Sequence, residues 1–220
     1  MLLLAFDTAT PAVTAAVHDG TAVVAESTRI DARRHGELLL PVIDQVLREA
    51  GAAKGDLTAV VVGVGPGPYT GLRVGLVTAA ALGHALDLPV HGVCTLDGLA
   101  HAARADGLAG PFTAATDARR KEVYWARYDG DGARISGPDV DRPADLAEQV
   151  AGLPAVGAGA LLYPDAFPLA QGPEHVSAGH LAAVAAERLA AGAELLPPVP
   201  LYLRRPDAQV PAGYKAVLPA

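Results

Sequence analysis

The sequence predicts an α/β fold of two tandem lobes, each a mixed sheet with flanking helices, over residues 1–106 and 107–220. Three observations carry this expectation. Strand-like and helix-like runs alternate along the chain, and the order of elements in the first half recurs more weakly in the second. In addition, 51% of the 220 residues are hydrophobic and only 5% aromatic, which supports a large core packed from aliphatic side chains.

The elements follow in order. Residues 2–7 are an apolar run ending in Asp7, a buried strand that delivers a polar residue at its tip. Residues 12–18 and 21–27 are two more strand-like runs joined through Asp19-Gly20, a pair that suits a tight turn needing positive φ. From 34 to 50 the apolar period becomes helical: Leu38, Leu39, Val42, Val46 and Ala50 share one face, and Gly51 supplies the stop. Pro41 inside this stretch predicts a bend or a late start. Residues 58–64 form a β-branched run, as in a strand covered on both faces. The loop Gly65-Pro66-Gly67-Pro68-Tyr69-Thr70-Gly71 leads into a helix to about Leu86, then a strand over 89–93 and a helix over 96–105.

In the second half, strands are expected over 112–116, 122–128 and 133–136, the last two joined by Asp129-Gly130-Asp131-Gly132. A short helix follows Pro143, then a strand over 155–157 and a helix over 177–191. After Pro197 the tail is expected to be irregular, with Leu201-Tyr202-Leu203 as its apolar anchor. No residue-level repeat is visible; the recurring order alone suggests duplication. Two units of this order predict paired ribonuclease-H-like lobes, the architecture of the actin, sugar-kinase and Hsp70 ATPases. Such a fold hosts many functions and selects none.

Composition narrows the function. The net charge is −7, from 17 Lys and Arg against 24 Asp and Glu, which argues against a free-standing nucleic-acid binder. The best cationic cluster, Arg119-Arg120-Lys121, is equally well explained as solvated charges on a turn. Cys94 is the only cysteine, so no intrachain disulfide can form. The N-terminal apolar run is too short for a signal-peptide core, and no stretch is long enough to span a bilayer. A cytoplasmic protein without membrane contact is expected.

Local motifs leave several readings open. The loop 65–71 enters a helix whose free N–H groups could bind an anion. It lacks the Gly-Lys-Ser/Thr of a phosphate-binding loop, and Pro66 and Pro68 have no N–H to offer; a rigid strand-to-helix turn is the better local account. Gly71, Gly75, Ala79 and Gly83 recur every fourth residue. That strip suits either a closely approaching partner helix or packing against the chain's own sheet. None of the seven histidines forms a His-x-x-x-His pair, and none of the three serines lies in Gly-x-Ser-x-Gly. Cys94 suits an inert structural thiol. Asp7 suits either a turn cap or a contact to nucleotide phosphate or magnesium.

Four segments together resemble the TsaB (YeaZ) family: Phe6-Asp7-Thr8-Ala9-Thr10, Gly65-Pro66-Gly67-Pro68-Tyr69-Thr70-Gly71-Leu72-Arg73-Val74-Gly75, Thr116-Asp117-Ala118-Arg119-Arg120-Lys121-Glu122-Val123-Tyr124, and Tyr202-Leu203-Arg204. His35-Gly36-Glu37-Leu38 through Pro41 fits as well. The resemblance implies an actin-like ATPase fold and a part in making N6-threonylcarbamoyladenosine at position 37 of tRNAs that read codons beginning with A. It further implies TsaD as the catalytic subunit, paired through the first two helices of each N-terminal lobe, and TsaE as the source of an ATPase cycle. Another enzyme makes the threonylcarbamoyl-adenylate.

The catalytic relatives carry metal-binding histidines just after the strand matching Val90–Val93. Here Thr95 and Leu99 stand at the two ligand positions, and neither can replace imidazole; His101 is displaced by two residues. The phosphate motif Asp-x-Gly-Thr reads Asp7-Thr8-Ala9-Thr10, and a methyl in place of glycine crowds backbone approach to a phosphate. The resemblance therefore implies a non-catalytic partner subunit with no catalytic residue and no metal of its own. Expected partner-contact residues are Leu39, Val42, Val46, Gly71, Leu72, Gly75, Ala79 and Gly83; expected nucleotide-binding positions are Asp7, Thr8 and Thr10. ATP or ADP would be bound by, or shared with, the complex, tRNA would be reached only through it, and the isolated chain could pair with itself. Two rivals stand: a free-standing ATPase or peptidase-like enzyme, and a direct tRNA-binding module, which the acidic balance disfavours.

Overall fold

The structure, a computed structural model, describes residues 1–204. The first sheet holds β1 (Leu3–Asp7), β2 (Ala12–His18), β3 (Val23–Ile30), β4 (Ala59–Gly63) and β5 (Val90–Val93), in the order β3-β2-β1-β4-β5. The first three strands are antiparallel, while β1, β4 and β5 run parallel. The second sheet holds β6 (Phe112–Asp117), β7 (Val123–Tyr128), β8 (Arg134–Asp141), β9 (Ala155–Val156) and β10 (Ala170–Gln171). Its order, β10-β9-β6-β7-β8, is the first order again read from the other edge, with the same pattern of strand directions. Two lobes of one topology are therefore present, as the recurring element order predicts.

Among the described residues six α-helices accompany the sheets: α1 (His35–Glu49), α2 (Tyr69–Leu86), α3 (Thr95–Ala105), α4 (Pro143–Val150), α5 (Ala158–Leu162) and α6 (Ala178–Ala190). α1 starts ahead of Pro41 and runs through it, so the alternative of a late start is not realised. α6 is capped by Ser177, whose hydroxyl accepts from the His180 N–H at 3.3 Å, the usual role of an N-cap serine. Two strands outrun their expected ends. β3 reaches Ile30, and β8 continues past Ser136 through Gly137 and Pro138 to Asp141. β8 lies at a sheet edge, where a proline costs no ladder bond to a further strand. α5 and β10 are additions; five and two residues are too few to carry a period.

The core is layered by the strand alternation. Leu4, Phe6, Val13, Val60 and Val62 face Leu39, Val42 and Val46 of α1 and Leu76 and Ala79 of α2. On the opposite face Leu3, Ala5 and Val61 pack against Leu181, Val184 and Ala185 of α6, a helix from the second half. α3 returns the exchange: Leu96, Leu99 and Ala103 pack on Phe112, Ala114 and Tyr128 of the second sheet. α4 and α5 cover that sheet's other face through Leu146, Val150 and Ala160. α3 and α6 meet between the sheets so closely that a Cβ on Gly98 would lie 2.7 Å from a Leu181 methyl.

After α6 the chain is irregular. Leu196 and Leu201 settle against apolar residues of both lobes, whereas Tyr202 stays exposed, so the anchor is narrower than the expected trio. The rest of the expected tail, 205–220, lies outside the described residues. Among the described residues no helix is long and apolar enough to cross a membrane.

Candidate functional site

A cleft of about 280 Å³ opens where the β1–β2 turn meets the starts of α1 and α2 and the β6–β7 hairpin; Thr8, Thr10, Arg33, His35, Gly71 and Arg119 line it. The end of the Gly-Pro-Gly loop contributes to its lining through Pro68, Thr70 and Gly71. Gly65, Pro66 and Gly67 are buried, and a Cβ on Gly67 would stand 2.2 Å from the Ala9 carbonyl oxygen. The loop is thus a rigid turn pressed onto the β1–β2 connection.

Asp7 is fully buried and does not line the cleft. One carboxylate oxygen accepts from the Ala9 N–H at 2.6 Å, the other from the Thr95 hydroxyl at 2.6 Å. Thr95 in turn accepts from the Gly65 N–H at 3.2 Å. A Cβ on Gly63 would overlap the Asp7 carboxylate at 1.7 Å, so glycine there is what admits the acid. Burial pushes the Asp7 carboxyl up to about 6, with the Thr95 and Ala9 hydrogen bonds pulling the other way.

Thr8 reaches into α2. Its hydroxyl donates to the Gly71 carbonyl at 2.7 Å and accepts from the Gly75 N–H at 3.0 Å, the two groups an α-helix pairs with each other. Thr10 offers its hydroxyl to the Ala12 N–H at 3.2 Å, and its carbonyl lies 2.8 Å from the His35 ring Nε2. The side chains of Asp7, Thr8 and Thr10 are therefore engaged within the fold. His35 lines the cleft together with the charged side chains of Arg33, Asp117 and Arg119, the last two paired at 3.1 Å.

The structure packs the residues expected to meet a partner within the chain itself. Leu39, Val42, Val46, Leu72 and Ala79 are buried in the chain's own core. Gly71, Gly75 and Gly83 face inward: a Cβ would lie 2.4 Å from the Thr8 carbonyl, 2.7 Å from its hydroxyl and 2.3 Å from a Val90 methyl, respectively. The strip of small residues records how tightly α2 lies on the β1–β2 turn, β4 and β5. The outward side of the pair carries other apolar groups, Leu40 on α1 at 57% exposure and Val77 on α2 at 67%, with Pro41, Ala80 and Ala81 also exposed. One sequence signal points to them: they are apolar residues on helical positions outside the inward-facing period.

The two positions matching metal ligands are also used internally, Thr95 on Asp7 and Leu99 in the core under the second sheet. His101 lies elsewhere, its Nδ1 2.9 Å from Nδ1 of His180 and its Nε2 3.2 Å from Glu187. Among the described residues no group of three or more His, Cys, Asp or Glu side chains is placed to hold a metal ion. Cys94 is buried, and that burial pushes its thiol up to about 12.

The far wall of the cleft is unusual backbone. Arg119, Arg120 and Lys121 have φ of 61°, 56° and 62°, three consecutive left-handed residues that cost roughly 1–3 kcal/mol each. Asp117 accepts from the Arg119 N–H at 2.8 Å, and Arg204 donates to the Ala118 carbonyl at 2.7 Å while pairing with Glu122. These bonds hold the turn in place.

A family model described as TsaD, tRNA N6-adenosine threonylcarbamoyltransferase, matches residues 23–194. An uncharacterised protein of Mycobacterium tuberculosis is 48% identical over 215 residues, 94% of this chain and 93% of its own. The tRNA threonylcarbamoyladenosine biosynthesis protein TsaB of Escherichia coli is 39% identical over 132 residues, 60% of this chain and 56% of its own length. The structure of YeaZ from Pseudomonas aeruginosa aligns with a TM-score of 0.80 at 30% identity, covering 92% of this chain and 99% of that one.

Proposed function

This chain belongs to the TsaB (YeaZ) family of the TsaD-related, actin-like ATPase superfamily, and we propose that it serves tRNA threonylcarbamoyladenosine biosynthesis as the non-catalytic partner of a TsaD-type transferase. The observation that carries this reading is the exposed apolar side of α1 and α2, centred on Leu40 and Val77. Both helices fall inside the region that the TsaD family model matches. A TsaD-type subunit would then present equivalent helices, and the meeting of two equivalent surfaces about a two-fold axis is the commonest arrangement among homodimers. The same surface would let two copies of this chain associate when the partner is missing.

Two further features support the reading. The positions that correspond to the catalytic relatives' metal ligands hold Thr95 and Leu99, and Asp7, Thr8 and Thr10 are committed to the chain's own hydrogen bonds. In this account the chain contributes no chemistry. It stabilises the competent conformation of its partner, a population shift whose size is the difference in its affinity for the two states. ATP or ADP would be held by the complex, with a TsaE-like ATPase completing the cytoplasmic assembly, and tRNA would be reached through it.

The test is size-exclusion chromatography of the chain with its cognate TsaD-type subunit, comparing wild type with Val77→Asp. Val77 is on the surface, so the charge leaves the fold intact while placing a carboxylate in the proposed interface. A one-to-one complex that the variant loses is the expected result. Wild-type chains that remain separate would overturn the partner reading and favour a free-standing ATPase or peptidase-like enzyme.

A further inference from the structure

A third element continues the exposed side of α1 and α2. Residues 196–204 form a strap that follows α6 and crosses both lobes. Leu196 accepts from the Gly92 N–H at 2.7 Å, and the Leu201 N–H donates to the Val64 carbonyl at 2.9 Å. Tyr202 then stacks on Tyr69, the first residue of α2, with ring centroids 5.1 Å apart at 26°. The Tyr202 hydroxyl accepts from Arg73 Nε at 3.3 Å, and the Arg73 guanidinium carbon sits 3.8 Å from the Tyr69 ring centroid. Two residues on, Arg204 reaches the second lobe, donating to the Ala118 carbonyl at 2.7 Å and pairing with Glu122. One short segment therefore ties the exposed start of α2 to the left-handed hairpin at 117–122.

Tyr69 and Tyr202 are 47% and 43% exposed, although an aromatic pair has every reason to be covered. Tyr69, Arg73 and Val77 lie four residues apart, one stripe along the outward face of α2. Tyrosine and arginine are the residue types enriched at the energetic centres of protein interfaces, and here they adjoin an apolar helix face. A phosphate-binding surface fits less well. The Arg73 guanidinium already lies over Tyr69, Arg119 is paired with Asp117, Arg204 with Glu122, and the whole chain carries a charge of −7.

We propose that Tyr69, Arg73 and Tyr202 extend the docking face for the TsaD-type subunit, and that Arg204 conveys occupation of that face to the hairpin lining the cleft. The proposal rests on the partner reading and adds the strap to it. Three left-handed residues persist only while their surroundings hold them, and Arg204 supplies part of that hold. A subunit seated on Tyr202 restricts residues 202–204, so the hairpin opens less often; the coupling runs through reduced local opening rather than through a new contact. Arg204 is a positioning residue in this scheme, and it touches no substrate.

Hydrogen–deuterium exchange of the full chain, alone and with a saturating amount of its TsaD-type subunit, tests this directly. In wild type the subunit should slow exchange at amides 118–122 at least five-fold. Tyr202→Ala should weaken association at least ten-fold. Arg204→Ala should bind within about two-fold of wild type and lose the slowing at 118–122, and Arg204→Lys, which keeps the charge but not the fork, should behave in the same way. Wild-type association without a change at 118–122, or Tyr202→Ala binding as tightly as wild type, overturns the proposal while leaving the Val77→Asp result standing. Failure of wild type to associate at all removes the partner reading and this proposal with it. Protection of 69–73 by unmodified tRNA in the absence of the subunit would show a nucleic-acid surface instead, and also overturns it.

Discussion

Gly75→Ala should destabilise the chain, and Thr8→Ala should relieve that loss rather than add to it. The added Cβ would stand 2.7 Å from the Thr8 hydroxyl oxygen and 3.5 Å from a Val62 methyl. The second distance is ordinary contact; the first requires a shift. The hydroxyl has little freedom to give way, since it is fixed by bonds of 2.7 and 3.0 Å to Gly71 and Gly75. Overpacking of this kind costs about 1–3 kcal/mol, offset by about 1 kcal/mol because alanine suits a helix better than glycine. The net loss, up to about 2 kcal/mol, lowers the Tm of a chain this long by up to about 8 °C. Thr8→Ala alone removes the bridging hydroxyl and costs about 1–2 kcal/mol. In the double variant the collision is gone and the helix gain remains, so it should be at least as stable as Thr8→Ala. Urea unfolding of the four proteins gives a coupling of about 1–3 kcal/mol. Single effects that sum to the double within about 0.5 kcal/mol, or a stabilising Gly75→Ala, would refute the claim that this glycine exists to admit Thr8.

Three further outcomes follow from buried or partly buried groups. The Asp7 carboxyl titrates at about 6 in the fold against an ordinary 3.8, so between those values the native chain holds a proton that the unfolded chain has released. Its contribution is most favourable at low pH and fades as pH rises from about 4 to about 6, by about 3 kcal/mol. Asp7→Asn should remove that slope, and urea midpoints at pH 4.5 and 7 that differ equally in both proteins would refute it. His180 is held below the ordinary histidine value by burial and by the adjacent His101, so the unfolded chain takes up its proton first as pH falls. That part of the stability is complete above about 6.5 and is lost on acidification; His180→Gln should lose less stability between pH 7 and pH 5 than wild type, measured in the same way. Cys94, buried and with its thiol pushed up to about 12, should resist an aromatic disulfide reagent at pH 8 until the chain unfolds, and rapid labelling of the native protein would contradict its placement.

Much of the fold was legible before any coordinates because its signals are local. The apolar run ending in Asp7, the β-branched strand before Gly65, the helical period of 34–50 and the Gly-Pro-Gly turn each depend on neighbours within a few residues. The recurring order of those elements foretold two lobes of one topology, which the mirrored strand orders show. α5 and β10 escaped notice because an element of five or two residues completes too little of a period to register.

The site was less legible, and Gly75 shows why. A small residue at every fourth position announces that something approaches α2 closely, but the group approaching Gly75 is Thr8, 67 residues away in sequence and delivered by the pairing of β1 with β4. Helical periodicity likewise marked Leu39, Val42 and Val46 as apolar without saying what covers them, and the covering surface is the first sheet. The exchange of α3 and α6 between lobes, and the strap that carries Tyr202 to Tyr69 and Arg204 to the hairpin, have no local signature at all. A residue's own neighbours in sequence set its backbone conformation and the face it offers. Which surface meets that face is set by contacts between distant segments, and those exist only once the chain has packed.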